Sequence, residues 1–80
     1  MIEALSGERF TQKRGAIFTY RVVGGQVVPD RTSHNIPRSH FEKALERWPV
    51  DGPGDLNDLR GPSYIYAVLA DPRVARARTE

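Results

Sequence analysis

The stretch Ala16-Ile17-Phe18-Thr19-Tyr20-Arg21-Val22-Val23-Gly24-Gly25-Gln26-Val27-Val28-Pro29 decides the fold. Its first eight residues are mostly β-branched or aromatic, the composition of a strand. Gly24-Gly25 follows with two residues free to take positive φ, as a two-residue hairpin turn requires. Gln26-Val27-Val28 is the return strand, and Pro29 closes it because proline has no amide hydrogen for the ladder. Alternation places Phe18, Tyr20 and Val22 on one face, and Ile17, Thr19, Arg21 and Val23 on the other.

Upstream, Glu8 to Gln12 reads as a short first strand, with Lys13-Arg14-Gly15 as its turn. Downstream, residues 30–36 read as a loop. Phe41, Ala44, Leu45 and Trp48 then recur at i, i+3, i+4 and i+7, the apolar stripe of an amphipathic helix. Ser39-His40-Phe41-Glu42 has the pattern of a capping box, while Pro37 offers an earlier start. Pro49 ends this helix. From Val50 to Arg60 the chain reads as an acidic loop, in which Gly52-Pro53-Gly54 excludes regular structure and Asp55 to Leu59 makes one helical turn. The run Tyr64-Ile65-Tyr66-Ala67-Val68-Leu69 suits a buried strand or a buried helix. Gly61-Pro62-Ser63 as a start, Ala67, Leu69 and Ala70 as helix formers, and Asp71-Pro72 as a stop favour a helix over 62–70. The tail from Arg73 to Arg78 would continue as a frayed helix.

These elements predict an α+β fold. A small antiparallel meander of two or three strands packs against one amphipathic helix and is closed by a second, buried helix. Phe18, Tyr20 and Val22 would meet Phe41, Leu45 and Trp48 and also Ile65, Val68 and Leu69 in one core. At 80 residues the chain makes one domain, 1–80, with residues 1–6 and 74–80 frayed. It contains no cysteine, which excludes a disulfide framework, thiolate metal sites and a thiol nucleophile. No apolar run approaches the ~18 residues of a membrane span. Met1-Ile2-Glu3-Ala4-Leu5 lacks the pattern of a signal peptide, so the expectation is a soluble, cytoplasmic protein of prokaryotic type without a membrane partner.

Charge is segregated along the chain. Arg9, Lys13, Arg14, Arg21, Arg31 and Arg38 against Glu3, Glu8 and Asp30 leave residues 1–40 at net +3. Residues 41–72 are at net −3, with Asp51, Asp55 and Asp58 close together, and residues 73–80 return to +2. Such a dipole can orient one face towards phosphate or an acidic partner. Ten arginines to two lysines suit phosphate recognition, although an arginine-biased genome gives the same ratio.

Candidate chemistry is sparse. His34 and His40, near Asp30 and Glu42, straddle a loop-to-helix junction that fixes neither ring, and no third ligand is spaced to complete a metal site. Gly61-Pro62-Ser63 at a helix start, beside Arg60, could cradle an anion but is equally a plain way to begin a helix. Ser63 has no histidine placed to activate it. No cofactor is implied. The function expected first is a non-catalytic binding or regulatory module whose partner is a protein or a second copy of the chain. Self-association would use an edge strand or the outward Ile17 and Val23. The alternative is a nucleic-acid-binding accessory using Arg14, Arg21, Arg31, Arg38 and the basic tail, with Phe18 and Tyr20 available for base stacking. A third class is a small enzyme acting through His34, His40 or Tyr64.

Overall fold

A computed structural model describes residues 5–32 and 35–74. It has two antiparallel sheets and three helical elements, an α+β architecture. The first sheet pairs β1 (Phe10–Thr11) with β2 (Ile17–Phe18), in the register Phe10 to Phe18 and Thr11 to Ile17. The second has the order β3 (Tyr20–Val23), β4 (Gln26–Pro29), β5 (Ile36–Pro37). The helices are α1 (Arg38–Arg47), a 3₁₀ turn (Pro53–Leu56) and α2 (Pro62–Ala70).

The strand expected from Ala16 to Val23 is thus divided at Thr19 between two sheets. Both glycines of the Gly24-Gly25 turn have positive φ, 57° and 78°, and Val23 pairs with Gln26 across it. Pro29 ends β4 opposite Tyr20. The ladder's alternation points the nitrogen of Pro29 away from β3, so its missing hydrogen breaks no bond there.

Four expectations are corrected. The segment 30–36, read as a loop, ends in β5, whose Ile36 pairs with Val27 and whose Pro37 pairs with Gln26. The capping box does not form: Pro37 is the N-cap, with no side-chain cap bond, and Ser39 and His40 are already inside α1. Pro37, at φ −62°, already holds the torsion a helix start needs, two residues before Ser39. Gly52-Pro53-Gly54 does not exclude regular structure, because Pro53 is the first residue of the 3₁₀ turn, where its lack of a donor costs nothing. Finally, Leu45 is 36% exposed and Trp48 half-buried, so neither joins the centre of the core. Ala44 is small and fully covered, which brings the Phe41–Ala44 line of α1 close in and leaves Leu45 on the flank.

The helix reading of 62–70 holds, with Asp71 as C-cap. Phe10, Phe18, Tyr20, Ile36, Phe41 and Ile65 lie at the heart of the core with Val68 and Leu69, and Leu56 and Leu59 fill it from the acidic segment. One aromatic contact lies within the first sheet and two knit it to the rest. Phe10 stacks on Phe18 at 5.9 Å, Phe10 tilts on Tyr20 at 5.3 Å, and Phe18 meets the edge of Tyr64 at 4.9 Å. Burial pushes the Tyr20 phenol up to about 12. Leu5 packs on the core and Val74, in a helical stretch at 72–74, is fully buried. Of the residues expected to fray, 1–6 and 74–80, Leu5, Ser6 and Val74 are packed or hydrogen-bonded, and the others lie outside the described residues.

Candidate functional site

The division of the long strand creates the most distinctive local geometry. The Thr19 amide donates to Oδ1 of Asp30 at 3.0 Å, and the Asp30 amide donates to the Thr19 carbonyl at 2.9 Å. The short carboxylate side chain stands where the next strand carbonyl would be, so the ladder ends without an orphaned amide. On the open side of β3, the Gly7 amide and the Ser6 hydroxyl both donate to the Tyr20 carbonyl, at 2.8 and 3.3 Å.

This arrangement leaves a cleft of about 630 Å³ on the outward side of the sheet, lined by Ser6, Gly7, Thr19, Arg21, Val28 and Asp30 among others. Val28 is the cross-strand partner of Arg21. Beyond the cleft the same strand face carries Ile17 and Val23, 54% and 55% exposed. Two aliphatic side chains therefore stand in water on either side of an arginine, against the tendency of an apolar group to leave water.

The arginines of the nucleic-acid alternative are placed unequally. Arg14 is exposed in the β1–β2 turn, Arg21 is exposed on β3, and Arg31 donates weakly to the Ile17 carbonyl at 3.5 Å. None of the three has a carboxylate within ion-pair distance among the described residues. Arg38 instead meets Glu42 at 3.3 Å, one turn along α1. The aromatic half of that alternative is overturned: Phe18 and Tyr20 are 1% and 2% exposed and belong to the core, so they present no stacking face.

The remaining candidates are dispersed. His34 lies outside the described residues. His40 is half-buried, and its Nδ1 accepts the Arg60 amide at 2.9 Å, so it works as a brace between α1 and the segment entering α2. Ser63 accepts from Nε2 of Gln12 at 3.1 Å, and Tyr64 packs on Phe18. Among the described residues no three His, Asp or Glu side chains converge as a metal site. The acidic segment holds its own charges: Arg47 makes two 2.6 Å bonds to the Asp58 carboxylate, and Asp55 accepts the Asp51 amide at 2.9 Å. Among the described residues no helix is long and apolar enough to cross a membrane.

Set against known protein families, characterised proteins and solved structures, the chain matches none of them.

Sequence reasoning missed Asp30, Ser6 and Gly7 as builders of the cleft. Asp30 had a signal, since an aspartate directly after a strand-ending proline is well suited to accept a neighbouring amide. Ser6 and Gly7 had none, because their role depends on the tertiary approach of the N-terminal segment to β3.

Proposed function

We propose that this chain is a small non-catalytic binding module whose partner is a protein. The observation that supports this reading is the exposure of Ile17 and Val23 on one sheet face, beside the cleft at Thr19 and Arg21. Single exposed aliphatic side chains are ordinary on a protein surface, and it is their sharing of one face with a polar cleft that supports an interface here. A photo-crosslinking amino acid at Val23, and separately at the exposed Asn57 as a control, tests it in lysate of the source cells. Adducts with a polypeptide at 23 and none at 57 are expected. Equal labelling at both positions, or no protein adduct, counts against the reading.

The second reading, a nucleic-acid-binding accessory, draws support from the lack of carboxylate partners at Arg14, Arg21 and Arg31 among the described residues. It has less behind it, because the aromatics are buried and the Asp51–Asp58 segment repels a long polyanion. Duplex binding would weaken with salt by a slope of about −0.9 per phosphate contact, and replacing Arg21 and Arg31 by alanine would flatten that slope by about two units. A gel shift absent at low salt removes this reading.

A further inference from the structure

Resting on the protein-binding reading above, we propose that the partner segment seated on the outward face of β2 and β3 is extended and acidic. Every second side chain of that segment meets the face, and those side chains set carboxylate between aliphatic groups. Exposure alternates from Ile17 through Thr19 and Arg21 to Val23 across the break, and within β3 successive outward side chains stand about 6.6–6.8 Å apart. A chain extended over them at the same pitch sets one of its side chains against each. The complement of aliphatic, hydroxyl, guanidinium, aliphatic is a carboxylate between two aliphatic groups.

The distribution of charge selects the sign. Arg38, Arg47 and Arg73 each have a carboxylate within 4.0 Å. Arg21 and Arg31, the two arginines next to this face, have none among the described residues, and Arg14, Arg9, Arg60 and both lysines are in the same state, so it is the exposed Ile17 and Val23 on either side that single out Arg21. Asp30 is the acidic group lining the cleft, and its Oδ1 is engaged by the Thr19 amide. The face is therefore cationic with an aliphatic frame. A second copy docked isologously over this face would set Arg21 against Thr19 of its partner and supply neither guanidinium with a carboxylate. Nucleic acid would meet Ile17 and Val23 with phosphate, to which they offer nothing, and would find no exposed ring in the strand to stack on.

The probe is the acetylated and amidated heptapeptide Val-Ser-Glu-Ser-Glu-Ser-Val, whose valine and glutamate side chains share one face when it is extended and which reads the same in either direction along the strand. A valine–lysine counterpart and a short oligothymidylate accompany it, all titrated into the full chain labelled with ¹⁵N. The glutamate peptide should shift amides of residues 17–23 and 28–31, and bind at least about tenfold more tightly than the lysine peptide. Arg21→Glu, an exposed substitution that leaves the rest of the spectrum in place, should reverse that preference; Arg21→Ala should only erase it. Equal binding of the two peptides, shifts confined to another face, or no peptide binding overturns the acidic inference. The protein-binding reading is then still decided by crosslinking at Val23, which does not depend on charge. Binding of the oligothymidylate alone overturns the inference in favour of nucleic acid.

Discussion

The guanidinium carbon of Arg73 lies 4.5 Å from the centre of the Phe10 ring, so the far end of the described chain closes over its first strand. The same side chain donates to the Arg9 carbonyl at 2.7 Å and pairs with Asp71 at 2.9 Å and with Glu8 at 3.7 Å. Its bond to Arg73 holds the Asp71 carboxyl below the usual carboxylate range. β1 is two residues long and cannot hold itself in place by ladder bonds, so this clasp and the burial of Phe10 are what fix it.

Arg73→Ala should therefore lower stability by about 1.5 kcal/mol, combining a partly exposed cation–π contact with a backbone hydrogen bond. For a domain of this size that is a fall of roughly 6–12 °C in melting temperature, read by circular dichroism. Arg73→Lys should recover little, because an ammonium has neither the flat face nor the fork. A melting point unchanged in Arg73→Ala would mean that Phe10 holds β1 alone.

Gly61 is constrained twice. It caps α2 at φ 63° and ψ 50°, and a Cβ there would fall 2.7 Å from Cδ1 of Ile36. Its carbonyl also receives the Tyr64 and Ile65 amides, both at 3.0 Å, so the left-handed turn cannot relax without loosening the helix start. Gly61→Ala should cost about 2–4 kcal/mol, from left-handed strain and overlap together. The urea midpoint should drop with the slope unchanged. Adding Ile36→Val, which removes the clashing methyl, should restore part of the loss; strictly additive effects would show that the overlap is not felt.

The contrast between these two contacts explains what could be read from the chain alone. Gly24-Gly25, the Phe41–Ala44 face and the stop at Asp71-Pro72 were legible because each rests on residues adjacent in sequence or one helical turn apart. Ile17, Arg21 and Val23 were legible as an outward face for the same reason. β5 was not, since Ile36-Pro37 is too short to show a period and is a strand only because Val27 and Gln26 lie beside it. Leu45 and Trp48 were misplaced because periodicity gives the direction of a helix face but not the width that its neighbours cover. The break at Thr19 left no mark either: Phe18 and Tyr20 keep perfect alternation across it, and the side chain that ends the ladder comes from Asp30, eleven residues on.

Asp58 gives the fold a defined acid response. Its two hydrogen bonds from Arg47 hold the carboxyl down to about 2, against an ordinary value of about 3.9 in the unfolded chain. A depressed folded-state value means that the unfolded chain takes up the proton first. The stabilisation is therefore complete above about pH 4 and is lost as pH falls towards 2. Asp58→Asn should flatten the stability profile across that window while leaving its shape above pH 5 unaltered. Chemical denaturation at successive pH values measures this, and parallel profiles for the two proteins would exclude the pair as a source of the acid response.

Trp48 and Phe41 lie two turns apart on the same nominal stripe, yet the structure separates them. Phe41 is 2% exposed and fully enclosed, whereas Trp48 is half-buried as the C-cap of α1 and rests tilted against Tyr66 at 5.7 Å. Phe41→Ala should leave a cavity under α1 and cost about 3–5 kcal/mol, enough to unfold much of so small a domain. Trp48→Ala opens towards solvent, so no sealed cavity forms; it loses partial burial and one aromatic contact, about 2 kcal/mol. Trp48→Phe should recover most of that, since a smaller ring still reaches Tyr66. The order of the three urea midpoints, Phe41→Ala lowest and Trp48→Phe highest, is the measurement. A Trp48→Ala protein as unstable as Phe41→Ala would place Trp48 in the centre of the core after all.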